Sequence, residues 1–217
     1  MRCRRTSLFF LALIQLSMCA VVPRGLIILC AGDSITAAGY PRFLQRILKQ
    51  ERIRAKVLNY GRSGYTSGEY LLFLEENSAA LAGEYPHFVL LQLGTNDVRE
   101  DGDHTSAEQY EQNLRRIIQI FGHFRTRSGA DTRVLLATIP PIPEGSTFPF
   151  SQESGIRVVS EINPVIRQLA EEMGMAVVDN YTLLRQEPRL LPDVHPSEEG
   201  YRAMALNWYK ALEPLIH

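Results

Sequence analysis

Residues 26–36 read LIILCAGDSIT, an apolar run that ends abruptly in glycine and polar residues. The run has no polar positions alternating with its apolar ones, which is typical of a strand buried on both faces of a parallel sheet. Four more short apolar runs follow along the chain, at residues 56–59, 87–93, 133–138 and 175–178. We interpret the five runs as the strands of one sheet.

Amphipathic stretches separate these runs, and we predict helices over residues 41–52, 68–81, 105–127 and 156–173, with a last helix from 197 to about 215. Thr105 followed by Glu108 predicts a capping box at the start of the third helix. Strands that alternate with helices through short connections indicate a parallel sheet covered by helices on both faces. The longest irregular stretch, residues 139–154, carries Phe148 and Phe150 and is typical of a lid or a substrate wall.

The composition excludes several classes of protein. The chain has 217 residues, of which 45% are hydrophobic and 22% charged, and this suits a folded domain of ordinary size. Its 23 basic and 24 acidic residues leave a formal net charge of −1, so we predict no nucleic-acid partner. Beyond residue 22 the only cysteine is Cys30, which leaves no pair there for a disulfide or a zinc site. We assign residues 25–217 to a single domain.

Residues 1–22 have the features of an export signal. Three arginines within the first five residues precede an apolar stretch over residues 7–22, which is shorter than the ~20 residues that a transmembrane helix needs. Cleavage after Ala20 would release a soluble protein. Residues 16–19, LSMC, also resemble a bacterial lipoprotein signal, in which Cys19 would carry the lipid. We therefore expect an exported protein that is secreted, periplasmic or attached to a membrane only through an N-terminal anchor.

Polar residues follow the end of each predicted strand. Open parallel sheets bind their ligands beyond the carboxyl ends of the strands, so these segments are the first place to look for a site. The segments are GDSIT at 32–36, NYGRSGYT at 59–66, GTND at 94–97 and PPIP at 140–143, together with DVHP at 193–196, which comes after the fifth strand on the approach to the last helix.

Ser34 and His195 are the candidate nucleophile and base among these residues. A serine hydroxyl becomes nucleophilic when a base takes its proton, and histidine is the usual base near neutral pH. The resulting oxyanion needs hydrogen-bond donors, for which the N–H groups of Ser34 and Gly64 and the Asn96 amide are available. Taken singly, each residue has a structural explanation as a cap, a turn or a surface residue. Their occurrence together, each after a strand, favours catalysis.

Four of the segments resemble those of the SGNH (GDSL-type) hydrolases and occur in that family's order, at residues 32–35, 61–64, 94–97 and 193–196. The resemblance implies a three-layer α/β/α sandwich with a five-stranded parallel sheet of flavodoxin-like strand order 2-1-3-4-5. It also implies hydrolysis of a carboxylic ester through an acyl-enzyme, without metal or cofactor. By position, Ser34 is then the nucleophile and His195 the general base, and the oxyanion hole consists of Ser34, Gly64 and Asn96.

The acid of the site departs from the family pattern. The family usually has its acid three residues before the histidine, where this chain has Pro192, whereas Asp193 lies two residues before it. Either the Asp193 carboxylate completes a triad, or the Pro192 carbonyl orients the ring and leaves a Ser–His dyad. We expect Asp193 to be the acid. We interpret Asp33 and Asp97 as structural, because each can bond within its own turn.

The sequence does not decide which ester is the substrate, and it leaves two alternative classes of function. Export favours a carbohydrate O-acetylesterase, whereas the loop with Phe148 and Phe150 would suit the fatty acyl chain of a lysophospholipase or thioesterase substrate. The expected partner is in each case a small-molecule, glycan or lipid ester. The other classes are a metal-dependent phosphoesterase, although His195 is the only histidine of its segment, and a non-catalytic binding module on the same fold.

Overall fold

A computed structural model of the chain describes residues 25–216, so the predicted leader at residues 1–22 lies outside the described part. The strands are β1 (Leu26–Gly32), β2 (Ala55–Gly61), β3 (Phe88–Gln92), β4 (Arg133–Ala137) and β5 (Val177–Val178). The α-helices are α1 (Ser34–Ala38), α2 (Tyr40–Gln50), α3 (Ser67–Ala82), α4 (Ala107–Gly122), α5 (Gln152–Arg157), α6 (Asn163–Glu172), α7 (Asn180–Gln186) and α8 (Glu198–Ile216). None of these helices is long and apolar enough to span a bilayer.

The strands form one parallel sheet in the order β2-β1-β3-β4-β5, which confirms the predicted strand order. Gly32, the last residue of β1, is in register with Gly61 on one side and with Gln92 on the other. The three central strands therefore end at the same level. Their carboxyl ends form one edge, at which the following turns meet.

Alternate residues of β1 face two separate hydrophobic layers. Leu29 and Ala31 pack in the core formed with α3, α4 and α6, whereas Ile28 and Cys30 pack in the core formed with α2, α7 and α8. All four residues are fully buried, as expected for a strand covered on both faces. Burial raises the pKa of the Cys30 thiol to about 12, so this cysteine stays protonated as a small core residue. The result is the predicted three-layer α/β/α sandwich.

The cap of α4 differs from the predicted one. Ser106, not Thr105, is the N-cap residue, and its Oγ accepts a hydrogen bond from the Gln109 N–H at 3.2 Å. The Thr105 hydroxyl instead donates to the Asp103 carbonyl, while the Thr105 carbonyl accepts from the Arg157 guanidinium. The prediction was wrong because serine and threonine are both good caps. The structure thus uses the second of two adjacent cap residues.

Two other helical regions also differ from the predictions. The helix predicted over residues 156–173 begins earlier, at Gln152, where the Ser151 hydroxyl accepts two N–H groups of the first turn. It continues from α5 through a π-helical turn, Val158–Ile162, into α6. Helix α7 was not predicted, because seven residues are too few for a clear apolar period. The Asp179 side chain caps it by accepting the Thr182 N–H at 3.0 Å.

A histidine joins the starts of β1 and β3. His87 Nδ1 accepts a hydrogen bond from the Ile27 N–H at 3.0 Å, and burial lowers the pKa of His87 below its ordinary value. A protonated Nδ1 cannot accept this bond. The pKa of His87 is therefore lower in the folded state than in the unfolded state. The contact stabilises the fold above the unfolded-state pKa of about 6.5, and this stabilisation is lost as the pH falls below that value.

We predict that the free energy of unfolding of the wild type falls more steeply between about pH 7.5 and 5.5 than that of His87→Asn. The asparagine Oδ1 can accept the same N–H but does not bind a proton in this range. Urea unfolding at a series of pH values measures both slopes. Identical slopes for the two proteins would contradict this role of His87.

Candidate active site

Ser34 follows a tight turn at the end of β1. Gly32 has φ 153°, and a Cβ on this residue would lie 1.9 Å from the Gln92 carbonyl oxygen, so the turn requires glycine. Asp33 caps α1, because its Oδ1 accepts the Ile35 N–H at 3.0 Å. This arrangement makes Ser34 the first residue of α1 and leaves it half-buried at the edge of the sheet.

The His195 ring reaches Ser34 from the other end of the chain. Its Nε2 lies 2.9 Å from Ser34 Oγ, although 161 positions separate the two residues. The connection between α7 and α8 carries His195, and the Ser197 N–H fastens this connection by donating to the Leu190 carbonyl at 2.9 Å. The structure therefore brings together the two residues that the sequence analysis selected as nucleophile and base.

Asp193 lies beside the same ring without a direct hydrogen bond to it. Its Oδ1 is 3.6 Å from His195 Nδ1, which is beyond hydrogen-bond distance, and the same oxygen accepts the His195 backbone N–H at 2.6 Å. The Asp193 side chain is 71% exposed, so water screens its charge. Across residues 25–216, no hydrogen bond joins the His195 ring to the Pro192 carbonyl. Neither the Asp193 carboxylate nor the Pro192 carbonyl therefore bonds directly to the ring.

The turn after β2 lies against the turn that carries Ser34. The Arg62 N–H donates to the Gly32 carbonyl at 2.8 Å, and Gly64, two residues later, is exposed and has φ 81°, a conformation that favours glycine. Asn96, after β3, is buried and donates through Nδ2 to the Tyr65 carbonyl at 3.0 Å. An amide nitrogen has two hydrogens, so one anchors Asn96 to this turn and the second is available to a ligand.

Two fully buried carboxylates connect the turns. Asp33 Oδ2 accepts the Thr95 N–H at 3.3 Å, and Asp97 Oδ2 accepts the Ser67 N–H at 2.9 Å. Burial raises the pKa of Asp33 to about 6 and the pKa of Asp97 above its ordinary value, against the opposing effect of these hydrogen bonds. Asp33 bonds within its own turn, as expected. Asp97 differs, because its carboxylate bonds to the first residue of α3.

Sequence reasoning missed Arg157, which holds the segment after β3 in place. Arg157 is 5% exposed, and its guanidinium donates through Nη1 to the Asp97 carbonyl at 2.9 Å and through Nη2 to the Thr105 carbonyl. Its Nε pairs with Glu161 at 2.9 Å. In the sequence, this arginine and a glutamate four residues later indicate only an exposed pair on a helix. The two hydrogen bonds that hold the segment after β3 instead join Arg157 to carbonyl groups more than fifty positions earlier in the chain.

Residues 25–216 contain no group of three or more histidine, cysteine, aspartate and glutamate side chains that could hold a metal ion.

The chain is similar in sequence to known esterases. The model of the GDSL-like lipase/acylhydrolase family matches residues 30–203. An acetylxylan esterase from Xylanibacter ruminicola is 27% identical over an alignment length of 204, and the match covers 81% of this chain and 41% of that protein. A multidomain esterase from Ruminococcus flavefaciens is 26% identical over 131 residues, which cover 59% of this chain and 16% of that protein. The chain therefore spans less than half the length of these curated relatives.

Solved structures share the fold. The lipase/acylhydrolase from Enterococcus faecalis has a TM-score of 0.72 with this chain, at 22% sequence identity, over 88% of this chain and 96% of its own. At this level of identity the similarity concerns the fold alone, and it agrees with the three-layer sandwich described above.

We predict that Asp193→Asn slows the labelling of Ser34 by a serine-directed phosphonate only about two- to fivefold, because an exposed carboxylate without a direct bond to the ring can act on it only through a screened charge. By comparison, replacing a buried triad aspartate that bonds directly to its histidine lowers kcat about 10⁴-fold. Mass spectrometry of the labelled protein measures the rate. Asp131→Asn, an exposed aspartate before β4, is the matched control and keeps the wild-type rate. An unchanged rate for Asp193→Asn would instead indicate a Ser–His dyad.

Proposed function

The chain belongs to the GDSL-like lipase/acylhydrolase family, and we propose that it hydrolyses carboxylic esters with Ser34 as the nucleophile and His195 as the general base. The observation that carries this proposal is the distance of 2.9 Å between Ser34 Oγ and His195 Nε2. A serine hydroxyl within hydrogen-bond reach of an imidazole is the arrangement that activates serine for acyl transfer.

The proposed reaction runs through an acyl-enzyme. His195 Nε2 takes the proton of the Ser34 hydroxyl as Oγ attacks the ester carbonyl carbon. The carbonyl oxygen becomes an anion that accepts hydrogen bonds from the N–H groups of Ser34 and Gly64 and from the Asn96 amide. The protonated His195 then gives its proton to the departing alcohol, which leaves the acyl group on Ser34. Water attacks this acyl ester with the help of the same base and releases the acid and free Ser34.

Asp193 supports the protonated ring in this proposal. Its Oδ1 lies 3.6 Å from His195 Nδ1, and its bond to the His195 backbone N–H keeps the carboxylate on that side of the ring. A nearby negative charge favours the imidazolium that forms during each proton transfer. The reaction as proposed uses no cofactor.

We propose an acetyl group on a carbohydrate as the preferred substrate. Both curated relatives are named as esterases, and one of them is an acetylxylan esterase. The rim of the site also suits a bulky, polar alcohol, because Ser63 and Gly64 are exposed and Ser34 is half-buried. Arg62 and Tyr65 lie in the same turn and add polar groups with which sugar hydroxyls can bond.

An ester with a longer acyl chain is the second candidate, which would make the protein a lysophospholipase or a thioesterase. The Phe148 side chain is 74% exposed in the irregular segment between β4 and α5, whereas Phe150 packs against the core. A large exposed apolar side chain offers a surface to an alkyl chain.

We further propose that residues 25–217 form one hydrolase domain and that residues 1–22 direct its export. The arginines and the apolar stretch of the leader support export, and Cys19 supports a lipid-anchored form as the alternative to a soluble one.

We predict that Ser34→Ala lowers kcat for p-nitrophenyl acetate by about 10⁴ to 10⁶, because the nucleophile is lost while the donors to the oxyanion remain. The phosphonate labels the wild type but not the variant, and Ser160→Ala, at an exposed position, keeps full activity. Full activity of Ser34→Ala would contradict the proposal. Activity that disappears with a chelator and returns with metal would support the phosphoesterase instead.

We predict that kcat/KM is highest for the acetate ester and falls at least about tenfold for the octanoate ester, because a site shaped for a short acyl group rejects added methylenes. Hydrolysis of p-nitrophenyl acetate, butyrate and octanoate measures this preference, and acetate release from acetylated xylo-oligosaccharides tests the carbohydrate. Phe148→Ser leaves the acetate rate unchanged. An octanoate preference that Phe148→Ser abolishes would favour the second candidate.

A further inference from the structure

The proposed oxyanion donors come from two separate turns. Gly64 belongs to the turn after β2 and Asn96 to the turn after β3, so their relative position is not set by either strand alone. Donors to a developing oxyanion must be held within a fraction of an ångström, because small displacements are costly. The hydrogen bond from Asn96 Nδ2 to the Tyr65 carbonyl, 3.0 Å long, is one connection between the turns. A single bond of this kind still allows one turn to rotate against the other.

Asp97 makes a second connection beside the first. Its carboxylate accepts the N–H of Ser67, with distances of 3.1 Å to Oδ1 and 2.9 Å to Oδ2, and also accepts the Ser67 hydroxyl through Oδ1. Both side chains are fully buried, where hydrogen bonds to a charged group are strong. Ser67 follows Tyr65 by two residues and Asp97 follows Asn96 by one, so two adjacent contacts fix the orientation of the turns.

The Ser67 hydroxyl is itself held in one orientation. Asn113 Nδ2, in α4, donates to Ser67 Oγ at 3.0 Å, and Gln109 Nε2 donates to Asn113 Oδ1 at 2.9 Å. Because Oγ accepts from Asn113, its single hydrogen is free to point at the Asp97 carboxylate. Asn113 is 6% exposed, so water does not compete for these bonds. The network therefore fixes the Asp97–Ser67 contact from the α4 side.

We propose that Ser67 and Asp97 are positioning residues for the reaction, which hold the Asn96 amide and the Gly64 N–H so that both face one oxygen atom. The inference rests on the proposed function, because the oxygen anion belongs to ester hydrolysis. Neither residue touches the substrate in this assignment, and both act through the turns that carry Gly64 and Asn96. The anion forms only in the reaction, so displaced donors lower kcat with little effect on KM.

A double-mutant cycle with Asn96 tests this role. Ser67→Ala removes the hydroxyl but keeps the backbone N–H for Asp97, and we predict about a tenfold fall in kcat with KM changed less than about twofold. Asn96→Ala alone lowers kcat by about 10² to 10³. In the Asn96→Ala background, Ser67→Ala lowers kcat by less than about threefold, because the amide that it positions is gone.

Ser78→Ala is the matched control, because Ser78 lies further along the same helix and, among residues 25–216, its hydroxyl bonds only to the Glu75 carbonyl. We expect wild-type kcat and KM for this variant. Thermal unfolding and near-ultraviolet circular dichroism verify the fold of each protein. If Ser67→Ala does not fold, Asp97→Asn takes its place in the cycle with the same expectation, because it keeps the shape and one acceptor for the Ser67 N–H.

Two outcomes would overturn the inference. The first is a fall in kcat by the same factor in the wild-type and Asn96→Ala backgrounds, which would show a general structural effect. The second is a wild-type kcat for the folded variant. Failure of the proposed function is a different result, because it appears as full activity of Ser34→Ala.

Discussion

The common direction of the five strands is the constraint on which the site depends. Parallel strands have all of their carboxyl ends at one edge of the sheet, so the turns that follow them meet there whatever their separation in sequence. The register of Gly32 with Gly61 and Gln92 makes this edge level across the central strands. Apolar side chains on both faces of β1 pack against the two helical layers and fix the sheet between them. The polar residues lie in the turns at the carboxyl edge of the sheet.

Buried carboxylates then set the geometry at this edge. Asp33 holds the Thr95 N–H and Asp97 holds Ser67, so the turns after β1, β2 and β3 form one connected unit. Burying a carboxylate is unfavourable unless donors replace its water, and burial raises the pKa of Asp33 to about 6 despite its donors. Apolar residues would avoid this cost but could not orient N–H groups. The buried carboxylates thus orient the N–H groups of the turns at this edge.

Much of this could be predicted from the amino-acid sequence. Uninterrupted apolar runs such as residues 26–31 indicate buried parallel strands, and the four segments with their spacing select the family and the strand order that it implies. Ser34 could be chosen because it directly follows a strand, and His195 because it is the histidine in the segment between the fifth strand and the last helix. These signals are local, since they depend on residue type and on the period of a single element.

Only the tertiary structure decided which distant groups touch. The separation of 3.6 Å between Asp193 and the His195 ring depends on the path of the chain before α8, and the contacts of Asp97 and Arg157 join segments thirty or more positions apart. The structure likewise shows that Ser106 rather than Thr105 caps α4, while the Thr105 carbonyl bonds to Arg157, 52 positions away. Hydrogen bonds between segments leave no period in the sequence. They depend on distances that exist only once the sheet and its two helical layers have packed together.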